Sequence, residues 1–157
     1  MLSQKSLSNI DREVAKFPAD QKQSAVMAAL HIAQSEKGWL SIETMQVVAD
    51  YLGMPAIAVQ EVATFYNMYN VKPVGAYKIS VCTNLPCALS GGDRAGSYLQ
   101  NKLGIGYRET TADGQFTLIE GVCMGACGDA PVMLINNTRM CSFMSDDKID
   151  ALLGELK

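Results

Sequence analysis

The sequence predicts an α+β protein in two parts. A small helical bundle spans residues 1–72, and a compact α/β domain with helices packed on a mixed sheet spans residues 73–157. Three observations predict it. Apolar residues follow helical spacing as far as residue 70. The period changes to two at Tyr77, and strand-like and helix-like stretches then alternate to the end of the chain.

In the first part, Pro18 precedes a predicted helix start at Asp20, where Gln23 three residues on approximates a capping box. Val26, Ala29, Leu30 and Ala33 share a face of this helix, and Gly38 ends it. Ser41 is placed to cap a second helix with Ile42, Met45, Val48 and Leu52 on one face and Gly53 as its stop. Pro55 suits the first turn of a third, whose stripe is Val59, Val62, Ala63 and Tyr66. Three or four short amphipathic helices with brief connections form a bundle.

Lys72-Pro73-Val74-Gly75 reads as a linker or turn. Tyr77, Ile79 and Val81 alternate with Lys78 and Ser80, a strand that runs into Cys82. Ala88 to Lys102 reads as one helix with Gly104 as its stop. Asp113-Gly114 marks a turn, and Phe116 to Val122 a second strand that delivers Cys123. Val132 to Ile135 is a third strand, Asn136-Asn137 a turn, and Met140 to Met144 a return strand. Ser145 caps a last helix, with Asp146 and Asp147 suited to its dipole and Ile149, Leu152, Leu153 and Leu156 as its apolar stripe.

Composition excludes several functions. The net charge is −3 with no lysine or arginine block, which argues against phosphate-driven binding of nucleic acid. No apolar run reaches the ~18 residues of a membrane span. The N-terminal stretch MLSQKSLSNIDREVAKF has no apolar core and carries Asp11 and Glu13, so it suits neither a secretory signal nor a transit peptide. These features predict a cytoplasmic protein. There, five cysteines are more readily metal ligands or redox groups than disulfides.

Four of the five fall as two close pairs: Cys82 and Cys87 in VCTNLPC, and Cys123 and Cys127 in CMGAC, with 35 residues between the pairs. Each pair follows a predicted strand. Gly125 and Ala126 inside the second pair let its backbone curl, Pro86 stiffens the first, and Gly91-Gly92 follow it. Four thiolates converging from two loops suit an iron–sulfur cluster or Zn²⁺. Structural zinc sites favour tighter C-x₂-C pairs at shorter intervals, which weakens zinc without removing it. Buried structural cysteines are the bland alternative. No C-x-x-C dithiol is present.

Cys141, the fifth, reads as a small core side chain. His31 is the one histidine and lies on a predicted helix, so a two-histidine iron site cannot be built and little room is left for a histidine-based triad. Gly104-Ile105-Gly106 lacks the third glycine of a dinucleotide fingerprint, with Glu109 in its place, and there is no P-loop. Phe65, Tyr66 and Tyr69 in EVATFYNMY read first as core, with a partner surface as the sharper alternative.

EVATFYNMY, VCTNLPC, ETTADGQFTL and CMGACGDAPVMLIN together resemble the thioredoxin-like [2Fe–2S] subunits of respiratory complex I, the E subunits of bacterial NADH–quinone oxidoreductases, from about residue 10 to the end. The resemblance implies a helical bundle followed by a thioredoxin-like [2Fe–2S] ferredoxin domain. It implies that Cys82, Cys87, Cys123 and Cys127 ligate one [2Fe–2S] cluster. It also implies a flavoprotein partner subunit that binds NADH and FMN, with other peripheral-arm subunits, on the cytoplasmic side of a bacterial inner membrane. Equivalent subunits of NAD-dependent formate dehydrogenases and bidirectional hydrogenases share these motifs, and a zinc-stabilised assembly module is the alternative from another class. Mitochondrial members carry a presequence, and this N-terminus favours a bacterial origin. Gly121, before Val122, departs from relatives that carry an acidic residue near the third ligand, and Cys141 is not a ligand in the family.

Overall fold

The structure is a computed structural model, described for residues 1–156, so the final position of the predicted 73–157 domain lies outside the described residues. The chain divides into two compact units, residues 1–73 and residue 74 onward.

The first unit holds four helices: α1 (Gln4–Val14), α2 (Val26–Lys37), α3 (Ile42–Leu52) and α4 (Ala56–Phe65). Ser3 caps α1 by accepting from the Ser6 N–H, and its own N–H and hydroxyl donate to Glu36 near the end of α2, tying the two helices together. Ser41 caps α3 through the Thr44 N–H at 3.2 Å, and Gly53 ends it with φ +67°. Ile10, Leu30, Leu40, Val48 and Val59 are fully buried between the helices. Two sequence expectations change here. The predicted start at Asp20 is a 3₁₀ turn, Lys22–Ala25, with no side-chain cap, so no capping box forms. Tyr66 leaves the α4 stripe: it follows the helix with extended backbone and is exposed, whereas Tyr69 turns inward and donates its hydroxyl to the Met27 carbonyl at 2.8 Å.

The second unit is a five-stranded sheet of order β2-β3-β1-β4-β5, with β1 (Tyr77–Cys82), β2 (Glu109–Thr110), β3 (Phe116–Gly121), β4 (Met133–Ile135) and β5 (Arg139–Cys141). β1 and β3 run parallel, and the other pairs are antiparallel. Ile79, Val81, Leu118 and Met133 pack with Ala95 and Leu99 of α6 (Gly92–Leu103) and with Ile149, Leu152 and Leu153 of α7 (Asp146–Glu155). Ser145 caps α7 by accepting from the Lys148 N–H. β2 is only two residues long, too short for a period to announce it.

Alternation along β1 predicts a polar face at Lys78 and Ser80, yet both are as buried as their apolar neighbours. β1 is the middle strand of the sheet, so flanking strands lie along both of its edges. The helix expected over 88–102 is two helices: α5 (Leu85–Leu89), capped by Asn84, and α6. Gly91, with φ +94°, makes the break, a backbone conformation that any other residue adopts only with strain. Pro86 therefore lies in the first turn of α5 rather than in a loop.

Candidate metal centre

Sheet register places the two cysteine pairs. In the parallel β1–β3 pair, Cys82 stands opposite Gly121. The segment carrying Cys87 and the loop carrying Cys123 and Cys127 therefore leave the same end of two adjacent strands. The Thr83 N–H and hydroxyl both donate to the Gly121 carbonyl, and the Cys82 N–H donates to the Val132 carbonyl at 3.1 Å, so the exits from β1 and β3 are fastened together.

Cys82 and Cys87 are buried, the latter on α5, and they pack with Val132, Met124, Ala126 and Ala130. Burial pushes the Cys87 thiol up. The Val132 N–H, donating to it, pulls the other way, and the neighbouring Cys82 and Cys127 sulfurs add to the upward shift. Cys82 and Cys127 thus lie near enough to Cys87 to act on its charge. Cys123 stays exposed and accepts from the Gly125 N–H at 3.4 Å. Cys127 opens a 3₁₀ turn, Cys127–Asp129, which is held by the Phe143 N–H donating to the Asp129 carbonyl at 2.8 Å and the Ser142 hydroxyl donating to its carboxylate. All five cysteines are free thiols. Cys141 lies on β5, half-buried against the sheet core, and burial raises its thiol. His31 is exposed on α2, in the other unit.

The donor set fits a binuclear iron–sulfur cluster. Free thiols lie on two segments that leave one end of the sheet, and backbone N–H groups act on two of the sulfurs. Among the described residues, no three His, Cys, Asp or Glu side chains form a group that could hold one metal ion. Two contributors escape a reading of the sequence alone. Val132 supplies a donor to Cys87, and Met124 packs onto the buried pair. Their positions, one after Pro131 and one inside the second cysteine pair, are the only signal the sequence offers for them.

Comparison with known proteins identifies the family. A family model described as thioredoxin-like [2Fe–2S] ferredoxin matches residues 10–157. The NADH-quinone oxidoreductase E subunit of Rickettsia conorii is 41% identical over 154 residues, covering 98% of this chain and 92% of that protein. NADH dehydrogenase [ubiquinone] flavoprotein 2, mitochondrial, of Dictyostelium discoideum is 39% identical over 156 residues, covering 99% of this chain and 63% of that one. Among solved structures, an NAD⁺-reducing [NiFe]-hydrogenase in its air-oxidized state shares the fold, with TM-score 0.73 and 24% identity over 83% of this chain and 22% of its own.

Proposed function

This chain belongs to the thioredoxin-like [2Fe–2S] ferredoxin family, and from that membership we propose that Cys82, Cys87, Cys123 and Cys127 hold one [2Fe–2S] cluster in an electron-transfer subunit of an NADH–quinone oxidoreductase. The observation that carries the reading is the register of Cys82 with Gly121, which brings both cysteine-bearing segments to one end of the sheet in a chain of this family. When bound, such a cluster accepts and returns one electron at a time. The chain's own residues do the rest. Cys82 and Cys87 anchor it from the buried side, and Cys123 and Cys127 meet it from the exposed side. The Val132 and Gly125 N–H groups donate to sulfur, which eases the accumulation of negative charge there.

Oxidising NADH removes two electrons as hydride, so a flavin must part them into single steps. The sequence carries neither a dinucleotide fingerprint nor a P-loop. NADH and FMN therefore belong to a flavoprotein partner, with further peripheral-arm subunits, and the assembly sits on the cytoplasmic side of a bacterial inner membrane. Among the described residues, no helix is long and apolar enough to cross a membrane. Phe65 and Tyr66, exposed at the end of α4 and packed edge-to-face at 5.0 Å, are the docking surface we favour on the helical unit.

The equivalent subunit of an NAD-linked hydrogenase is the second reading, favoured by the shared fold. The test begins with metal content. Anaerobically purified protein should hold about two irons and two acid-labile sulfides per chain. One zinc and no sulfide would remove the proposal. NADH should bleach the cluster only when the flavoprotein is added, and bleaching by NADH alone would reveal a nucleotide site in this chain.

A further inference from the structure

Met124 stands between two exposed cysteines, yet its own side chain turns inward. It is half-buried and packs with Cys82, Cys87 and Val132. Its methyl rests on Gly121. A Cβ at that glycine would collide with Met124 Cε, and would lie 3.1 Å from the Val81 carbonyl oxygen and 3.6 Å from Ser80 Cβ. Gly121 is buried and closes the β1–β3 register opposite Cys82. The side chain missing from position 121 thus leaves a seat at the end of β3, and the thioether of the loop that follows occupies it. Val122, Cys123, Gly125 and Cys127 around it are all exposed, so Met124 is the inward anchor of this loop. Ala126 and Ala130, the other partly buried side chains in the same cluster, end at Cβ.

We propose that Met124 is a positioning residue for the cluster: seated on Gly121, it fixes the Cys123–Cys127 loop over the buried cysteines and keeps water from that side, which lowers the cluster's reduction potential. This rests on the four-cysteine reading above. A [2Fe–2S] core with four thiolates carries charge −2 when oxidised and −3 when reduced. Apolar surroundings penalise the more highly charged form more strongly. An unbranched, polarisable side chain suits an irregular gap of this kind. Replacing it with a polar group, or evicting it, admits water or a dipole and favours the reduced form.

The experiment uses the full chain, purified anaerobically, as wild type, Met124→Leu, Met124→Gln and Gly121→Ala. Iron, labile sulfide and the visible spectrum are measured first, because a wild type without iron and sulfide defeats the four-cysteine reading rather than this inference. The midpoint potential is then titrated with a chemical reductant and followed by absorbance and EPR. Met124→Leu should keep the wild-type midpoint. Met124→Gln and Gly121→Ala should shift it positive, with altered EPR g-values. Wild-type midpoints in both, with the cluster fully present, overturn the proposal. Should Met124→Gln lose its cluster, release of iron to a chelator decides. Faster release from Gly121→Ala with unchanged release from Met124→Leu supports the proposal, and equal release from wild type and both of these variants overturns it.

Discussion

Gly92 lies directly against the backbone of Cys87: a Cβ at residue 92 would stand 2.8 Å from the Cys87 carbonyl oxygen and 3.0 Å from that of Cys82. The first residue of α6 is thereby pressed onto both members of the first cysteine pair. Neither contact can yield cheaply, because both atoms are backbone. Gly92→Ala should destabilise the protein by about 1–3 kcal/mol, the usual range for overpacking, and should lower the iron retained after purification. Denaturant unfolding with parallel iron assay checks this, and a variant with wild-type midpoint and iron content would contradict it.

The five cysteines should divide by role. Alanine at Cys82, Cys87, Cys123 or Cys127 removes a thiolate that no other cysteine can replace, since Cys141 lies on β5 against the sheet core. Each such variant should lose most of its iron and visible absorbance. Cys141→Ser should keep both and lose about 1 kcal/mol or less of stability, as a hydroxyl takes a half-buried place. Retained colour in Cys127→Ala together with bleached Cys141→Ser would reverse the ligand assignment.

Local signals in the sequence are easily read. Ser41 and Ser145 cap the helices that the sequence assigns to them, since capping needs only the next three residues. Features set by distant partners are not legible in this way. Whether Lys78 is buried depends on β1 being central, and that order is fixed by strands roughly 40–60 residues away. The split between α5 and α6 follows from Gly91 at φ +94°, which no helical period encodes. At the proposed cluster site, the four cysteines are visible as residues. That their two segments leave one end of the sheet is not, because it arises from the parallel pairing of β1 with β3. Spacing alone also leaves zinc open. The donors at Val132 and Gly125 become visible only when the loops are closed.

Lys78 gives stability an alkaline signature. Burial holds its ammonium down to about 8, against an ordinary value of 10.5. Below pH 8 the lysine is charged in both folded and unfolded chains, and the full cost of burying that charge weighs on the fold. Between pH 8 and 10.5 the unfolded chain holds the proton more tightly, so this contribution to stability rises with pH and levels off above. Lys78→Met removes the ionisation. The stability difference, variant minus wild type, should therefore fall by roughly 1–3 kcal/mol from about pH 7.5 to about pH 10.5. A difference that stays flat across the window would show that burial does not set the charge state of Lys78.

Phe65 and Tyr69 share one aromatic stretch and should respond in opposite ways. Phe65 is 79% exposed and Tyr69 6% exposed, with the Tyr69 hydroxyl donating to the Met27 carbonyl inside the helical unit. Tyr69→Phe removes that hydrogen bond and should cost about 1 kcal/mol of stability. It should leave partner binding unchanged once the protein is folded. Phe65→Ser removes a ring that supports little of the fold, so unfolding should stay within about 0.5 kcal/mol of wild type. If the exposed end of α4 docks the flavoprotein, Phe65→Ser should weaken that association by about 1 kcal/mol or more, as aromatic anchors do. Calorimetric titration of each variant with the flavoprotein partner, beside denaturant unfolding, separates the two roles. Unchanged affinity for Phe65→Ser would move the docking surface elsewhere, and a large loss of stability in that variant would show that the ring belongs to the core after all.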